Sequence, residues 1–218
     1  MRKLVALAAL TLGLAAAPAS AEPNFLGSTG LILTPTAATV GDQNVGAHAH
    51  FTDNFNTYGV LGAWSGVELG VTYFDPDGGD GDPIVNLKWN FLPETTLSPG
   101  VAVGVIDLFD EFDADPSWYI VASKTFPQFI PALGGLRLHA GFGGGIYDEE
   151  IFAGAELALG TPLDLLPVDR PTFTAIAEFA NSDFNIGVRG RWRGFSATAA
   201  LIDLDDFGFG FTYSTALR

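Results

Sequence analysis

Residues 207–214 read Phe207-Gly-Phe-Gly-Phe-Thr-Tyr-Ser214. Aromatic residues hold every odd position and small or polar ones every even position. A period of two is the signature of a β-strand with one apolar and one polar face. The same alternation recurs along the chain. Val45, Ala47, Ala49 and Phe51 alternate with Asn44, Gly46, His48 and His50. Val67, Leu69, Val71 and Tyr73 alternate with Glu68, Gly70 and Thr72. Val85, Leu87, Trp89 and Phe91 alternate with Asn86, Lys88 and Asn90. Leu136, Leu138, Ala140 and Phe142 stand against Arg137, His139 and two glycines, and Phe184, Ile186, Val188 and Trp192 against Asn185, Gly187, Arg189 and Arg191. Weaker strands at 56–64, 99–107, 117–125, 150–159, 171–180 and 195–202 bring the total to about twelve, with turn residues between many of them.

A strand of about nine residues is what a tilted membrane-crossing strand requires. The composition is 48% hydrophobic and only 16% charged, with 27 glycines and 18 phenylalanines, against about 25% charged residues in an ordinary soluble domain. Beyond the first residues no apolar stretch has the length of a membrane helix. A large apolar surface without such a helix is reconciled by a closed barrel, whose lipid face takes alternate residues of each strand. The expected fold is therefore all-β: a closed antiparallel transmembrane β-barrel of about 12 strands. The apolar face is rich in aromatic residues toward strand ends, as a membrane-interface girdle is, whereas a soluble sandwich carries more Lys and Glu outside. An even strand number brings both chain ends to one side, the periplasm for an exported barrel.

Export is read from the first residues. Met1-Arg2-Lys3, an apolar run from Leu4 to Ala17, and Ala19-Ser20-Ala21 form the three parts of a secretory signal peptide. Cleavage is expected near Ala21. This divides the chain into a signal peptide (1–21), an N-terminal lead segment (22–43) and an outer-membrane barrel (44–218), placed in the Gram-negative outer membrane. There is no cysteine, so no disulfide contributes.

The formal charge of −15 excludes a basic nucleic-acid-binding patch. When strands are alternated from the periplasm, 17 of the 25 acids fall in the outer loops, with no Lys or Arg among them: Asp53, Asp75, Asp77, Asp80, Asp82, Asp107, Asp110, Glu111, Asp113, Asp115, Asp148, Glu149, Glu150, Asp183, Asp203, Asp205 and Asp206. Lumen-facing charges are expected at Glu68, Lys88, Lys124, Arg137, Glu156, Glu178, Arg189 and Arg191. They pair as a network that braces the barrel, or they line a conduit for a small or anionic solute. Asp75, Asp77, Asp80 and Asp82, spaced by glycines, offer the hard oxygen ligands of a calcium loop, without an EF-hand's closing Glu. Divalent cations at these outer loops, membrane lipid and lipopolysaccharide are the expected partners. His48 and His50 share a strand face and His139 lies on another interior face; neutral imidazole in a polar lumen serves as a hydrogen-bonding filler. No nucleotide fingerprint or nucleophile elbow appears, so no catalytic residue and no cofactor is assigned.

Some stretches resemble a known group. Gly27-Ser-Thr-Gly-Leu-Ile-Leu-Thr-Pro-Thr-Ala37 resembles the opening signature of the YjbH-type outer-membrane proteins. So do Asn86-Leu-Lys-Trp-Asn-Phe-Leu-Pro-Glu94 with Val101–Asp107, Tyr119–Lys124, and Ala177–Phe179 with Asp183–Arg189. The resemblance, as to a short barrel-only member, implies a non-enzymatic barrel that supports exopolysaccharide export or envelope biogenesis, with the exopolysaccharide machinery as a partner. A small diffusion channel is the alternative from the lumen charges, and a lipid-modifying barrel enzyme, from the histidines, is the third. Gly27–Ala37 itself has three destinations: an extra strand, an inner plug or a periplasmic lead. Pro35 argues against a central strand.

Overall fold

A computed structural model describes residues 21–111, 116–130, 134–159 and 171–217. Twelve antiparallel strands close on themselves. They are β1 (Asn44–Phe51), β2 (Phe55–Trp64), β3 (Val67–Pro76), β4 (Asp82–Leu92), β5 (Gly100–Ile106), β6 (Ser117–Ile130), β7 (Gly134–Gly143), β8 (Glu150–Leu159), β9 (Thr172–Ala180), β10 (Asp183–Trp192), β11 (Phe195–Ile202) and β12 (Asp206–Ala216). Each pairs with its sequence neighbour, and β1 pairs with β12 from Asn44↔Ala216 to Phe51↔Phe209. The fold class read from the alternation is thus observed. The sole helical element among the described residues is a 3-10 turn, Gly145–Tyr147. Among the described residues no helix is long and apolar enough to cross a membrane.

Closure leaves no unpaired strand edge, which is the condition for crossing lipid. The outward side chains are apolar. Tyr58, Val60 and Trp64 on β2, Leu69, Val71 and Tyr73 on β3, and Phe207, Phe209, Phe211 and Tyr213 on β12 are all exposed. Soluble proteins avoid a continuous apolar surface of this kind. Aromatic residues collect at both strand ends. Trp64, Trp89, Trp192, Phe195 and Tyr213 lie toward the end that holds Asn44 and Ala216, and Tyr58, Tyr73, Trp118, Phe142, Phe184 and Phe207 toward the opposite end. This is the distribution of two interfacial belts on a membrane barrel.

Twelve strands enclose more space than an eight-stranded barrel, which side chains alone can fill, and less than the 16–18-stranded barrels that hold an aqueous channel. Residues 21–40 take up this intermediate space. They are almost wholly buried inside the barrel, with Phe25, Leu31, Ile32 and Val40 at 0% exposure. Gly27–Ala37 is therefore an inner plug. It carries only isolated bridges, Pro23↔Thr29 and Gly30↔Pro35, rather than a strand.

The plug's shape starts from local chemistry. The Asn24 Oδ1 accepts the N–H groups of Leu26 and Ser28, both at 3.1 Å, and its Nδ2 donates to the Leu33 carbonyl at 2.9 Å. One Asx side chain so closes a turn and ties it to a later residue. Gly27 sits in that turn at φ +85°, against Thr72 on the barrel wall. A side chain there would meet both a backbone penalty and a clash.

Candidate functional site: the plugged lumen

The lumen has two layers. Toward the end bearing the acidic loops, one side of the interior is apolar. On the side formed by β4, β5, β6 and β8, Ile84, Ile106, Tyr119, Val121 and Phe152 point inward and pack with Tyr147 and with Leu26 of the plug. The 3-10 turn brings Tyr147 over the barrel mouth, its ring 4.9 Å from Phe152 and edge-on to Tyr119 at 6.4 Å. A uniformly polar interior was expected from the alternation; one side of the outer half is instead an apolar seal, while His50, Thr57 and Asn185 keep the other side polar. Most of its members lie near strand ends, where an inward apolar residue does not disturb the local period; β6 supplies two, Tyr119 and Val121.

Below the seal lies a layer of buried charge that holds the plug. Glu178 on β9 accepts the N–H groups of Ile32 (3.0 Å), Leu33 (2.8 Å) and Thr34 (3.2 Å), the Thr34 hydroxyl (2.7 Å) and the Asn185 amide (2.8 Å). A carboxylate with this many donors is stabilised in its charged form even when desolvated. Arg189 on β10 takes the complementary groups, donating to the carbonyls of Gly30 (3.2 Å) and Leu31 (2.5 Å) and, through Nε, to Thr198 (3.0 Å). One turn of the plug is thus read on its N–H side by an anion and on its C=O side by a cation.

A second anchor lies across the barrel. Glu68 on β3 accepts Thr29 N–H (3.0 Å) and Val40 N–H (2.8 Å), and Lys88 on β4 donates to the carbonyls of Thr29 (2.5 Å) and Ala38 (3.2 Å). The two charges lie 3.5 Å apart. Asn86 donates to the Leu26 carbonyl (2.7 Å), Thr57 to the Phe25 carbonyl (2.8 Å), and Asn90 to the Ala37 carbonyl. At the far end Glu22 pairs with Arg191 and accepts from Thr212 (2.7 Å).

A third chain runs through His139. Ser123 Oγ accepts the Ala37 N–H (2.8 Å) and lies 2.8 Å from His139 Nδ1; His139 Nε2 lies 3.2 Å from Glu156. The Glu156 carboxylate can only accept, so in the neutral imidazole Nε2 carries the proton and donates to it, and Nδ1 accepts from the Ser123 hydroxyl. Arg137 and Arg189 flank Glu156 at 4.0 and 3.7 Å. The serine was not identifiable from sequence: Ser123 meets His139 only through the β6–β7 register. Its oxygen is capped by the plug.

Plug side chains enter sockets made by interior glycines. Leu31 occupies the place of a side chain on Gly154, Ile32 lies 3.2 Å from where a Cβ on Gly187 would stand, and Phe25 lies 2.6 Å from the corresponding point on Gly208. The interior glycines are therefore part of the mould, a role the alternation does not reveal.

Other assigned residues fall differently. Lys124 is not in the lumen. It is opposite Leu138 in the β6–β7 register, and directly paired residues share a face, so it projects outward. The 93–99 loop covers it there, with the carbonyls of Thr95 (2.6 Å) and Thr96 (2.9 Å) accepting from its ammonium. Asp75, Asp77, Asp80 and Asp82 do not converge as a metal site; among the described residues no group of three or more His, Asp or Glu is arranged to hold an ion. Gly78 in this loop has φ +74° and open space around it, as a turn requires. His48 and His50 are linked by their Nδ1 atoms at 3.2 Å, and His50 stacks on Phe25 of the plug. Asp113, Asp115 and residues 1–20 lie outside the described residues.

No family model matches this chain, and no curated protein does. Among solved structures, a multiply substituted mutant of the Rh. blastica porin is similar, at 15% identity and a TM-score of 0.35; the match covers 75% of this chain and 56% of that one.

Proposed function

We propose that the protein is a channel-type β-barrel of the outer membrane whose path is held shut by residues 22–40, and that it passes small solutes when this segment moves. The observation that carries the reading is that the buried charges of the wall make their principal contacts with the plug backbone. Glu68, Lys88, Glu178 and Arg189 bind a segment joined to the barrel through residues 41–43. Lumen charges that a mobile segment covers and uncovers would tune selectivity in the open state. The leader at residues 1–21 and the aromatic belts support export to the outer membrane.

Planar-bilayer recording tests this. The intact barrel is expected to be closed for most of the record, and Glu178→Gln to open more often. Absence of any conductance from either protein, inserted and folded, would remove the reading.

The envelope-biogenesis role implied by the resemblance stands as a second proposal. Its main motif, Gly27–Ala37, is the stretch that lies in the lumen, so the motif has a packing role of its own. Unchanged envelope integrity and secreted glycan after gene deletion would dismiss it.

A further inference from the structure

The geometry points to the lumen wall as a peptide-binding site: the barrel holds residues 22–40 as a non-covalent ligand, independently of the chain that joins them. The inference concerns how the segment is bound, and it rests on the plug contacts rather than on conduction.

The contacts are those of a receptor and a turn-rich peptide. They address the backbone in both polarities. Three consecutive N–H groups, of Ile32, Leu33 and Thr34, go to Glu178, and the two preceding carbonyls, of Gly30 and Leu31, go to Arg189. Further backbone groups of Leu26, Thr29, Ala37 and Val40 go to side chains of β3, β4 and β6. Backbone recognition supplies affinity, and side-chain pockets supply selectivity. The pockets here are the sockets at Gly154, Gly187 and Gly208, filled by Leu31, Ile32 and Phe25. The preferred ligand is thus a turn-rich peptide with consecutive branched apolar residues at a turn and no charge between Asn24 and Val40. No residue from Asn24 to Val40 is charged, which suits a site whose walls already carry both signs.

The linker supplies little of the hold. Asp42 and Gln43 are exposed, and the contacts lie on strands distributed around the barrel. Cutting there would leave every contact above in place.

The test uses the full-length folded protein with a specific protease site inserted between Gly41 and Asp42. After cutting, the freed fragment is expected to stay with the barrel through gel filtration in detergent. In urea that leaves the β-sheet circular dichroism intact, it should leave, and on dilution it should rebind at one per barrel. A labelled synthetic peptide of residues 22–40 should compete for the emptied site. The same peptide carrying Leu31→Asp should compete roughly tenfold or more weakly, since a charge would enter an apolar socket. The substitution is confined to the peptide, so barrel folding is untouched. Three results would overturn the inference: loss of the fragment as soon as the chain is cut, equal competition by both peptides, or release only together with unfolding of the barrel. None of these readouts involves conductance, so failure here and failure of the channel reading are separable.

Discussion

Leu31 stands in the space that a side chain at Gly154 would fill, because a Cβ on that glycine would overlap Leu31 Cδ1. The wall is shaped to the plug at single-residue resolution. Gly154→Val should therefore expel or shift Leu31 and cost about 1–3 kcal/mol, the usual penalty of overpacking. Gly62, opposite Val45 on the lipid side, is the control. Gly62→Val should change the unfolding midpoint in urea far less. Equal midpoints for the two variants would contradict the socket.

Glu178 accepts four hydrogen bonds from the plug, and its neutralisation should loosen the segment. The chain has no cysteine, so Thr36→Cys introduces a unique reporter. Thr36 is buried and its hydroxyl has no hydrogen-bond partner, so this change should be nearly silent. A charge-assisted hydrogen bond contributes about 1.5–3 kcal/mol. Combining Thr36→Cys with Glu178→Gln should accelerate maleimide labelling by roughly tenfold or more, because labelling follows local opening. Unchanged labelling would mean that Glu178 does not hold the plug.

Ser123 has a histidine and a carboxylate behind it, yet Ala37 N–H lies on its oxygen. A nucleophile needs a free approach at about 3 Å. A fluorophosphonate probe is therefore expected to leave the native protein unmodified. Stoichiometric labelling lost in Ser123→Ala would show an accessible nucleophile and reverse this view of the triad as an anchor.

All four tryptophans, Trp64, Trp89, Trp118 and Trp192, project outward toward strand ends. In vesicles, lipids brominated near the carbonyl region should quench their fluorescence more than lipids brominated near the chain terminus. Stronger quenching from the terminus would place the barrel differently in the bilayer.

Alternation alone carried the fold. The six strong strands were legible because every second residue faces lipid, and lipid tolerates almost nothing but apolar side chains. Even strand number then placed both ends together, as the Asn44↔Ala216 pair shows. Interior positions obey no such rule. Lys124 illustrates this: the odd residues Tyr119, Val121 and Ser123 face inward, so its parity is outward, and a reading by charge rather than period places it on the wrong side.

What the sequence by itself determined is the barrel, the acid-rich loops at one end, and the aromatic surface. Each follows from a local period or from chain order. Only the tertiary structure decided where Gly27–Ala37 goes, what Gly154, Gly187 and Gly208 are for, and that Ser123 meets His139. These facts depend on contacts between residues far apart in the chain. Glu178 and Thr34 are 144 residues apart and joined by a 2.7 Å hydrogen bond. No local pattern encodes such a pairing, because it exists only once twelve strands have closed around the segment they enclose.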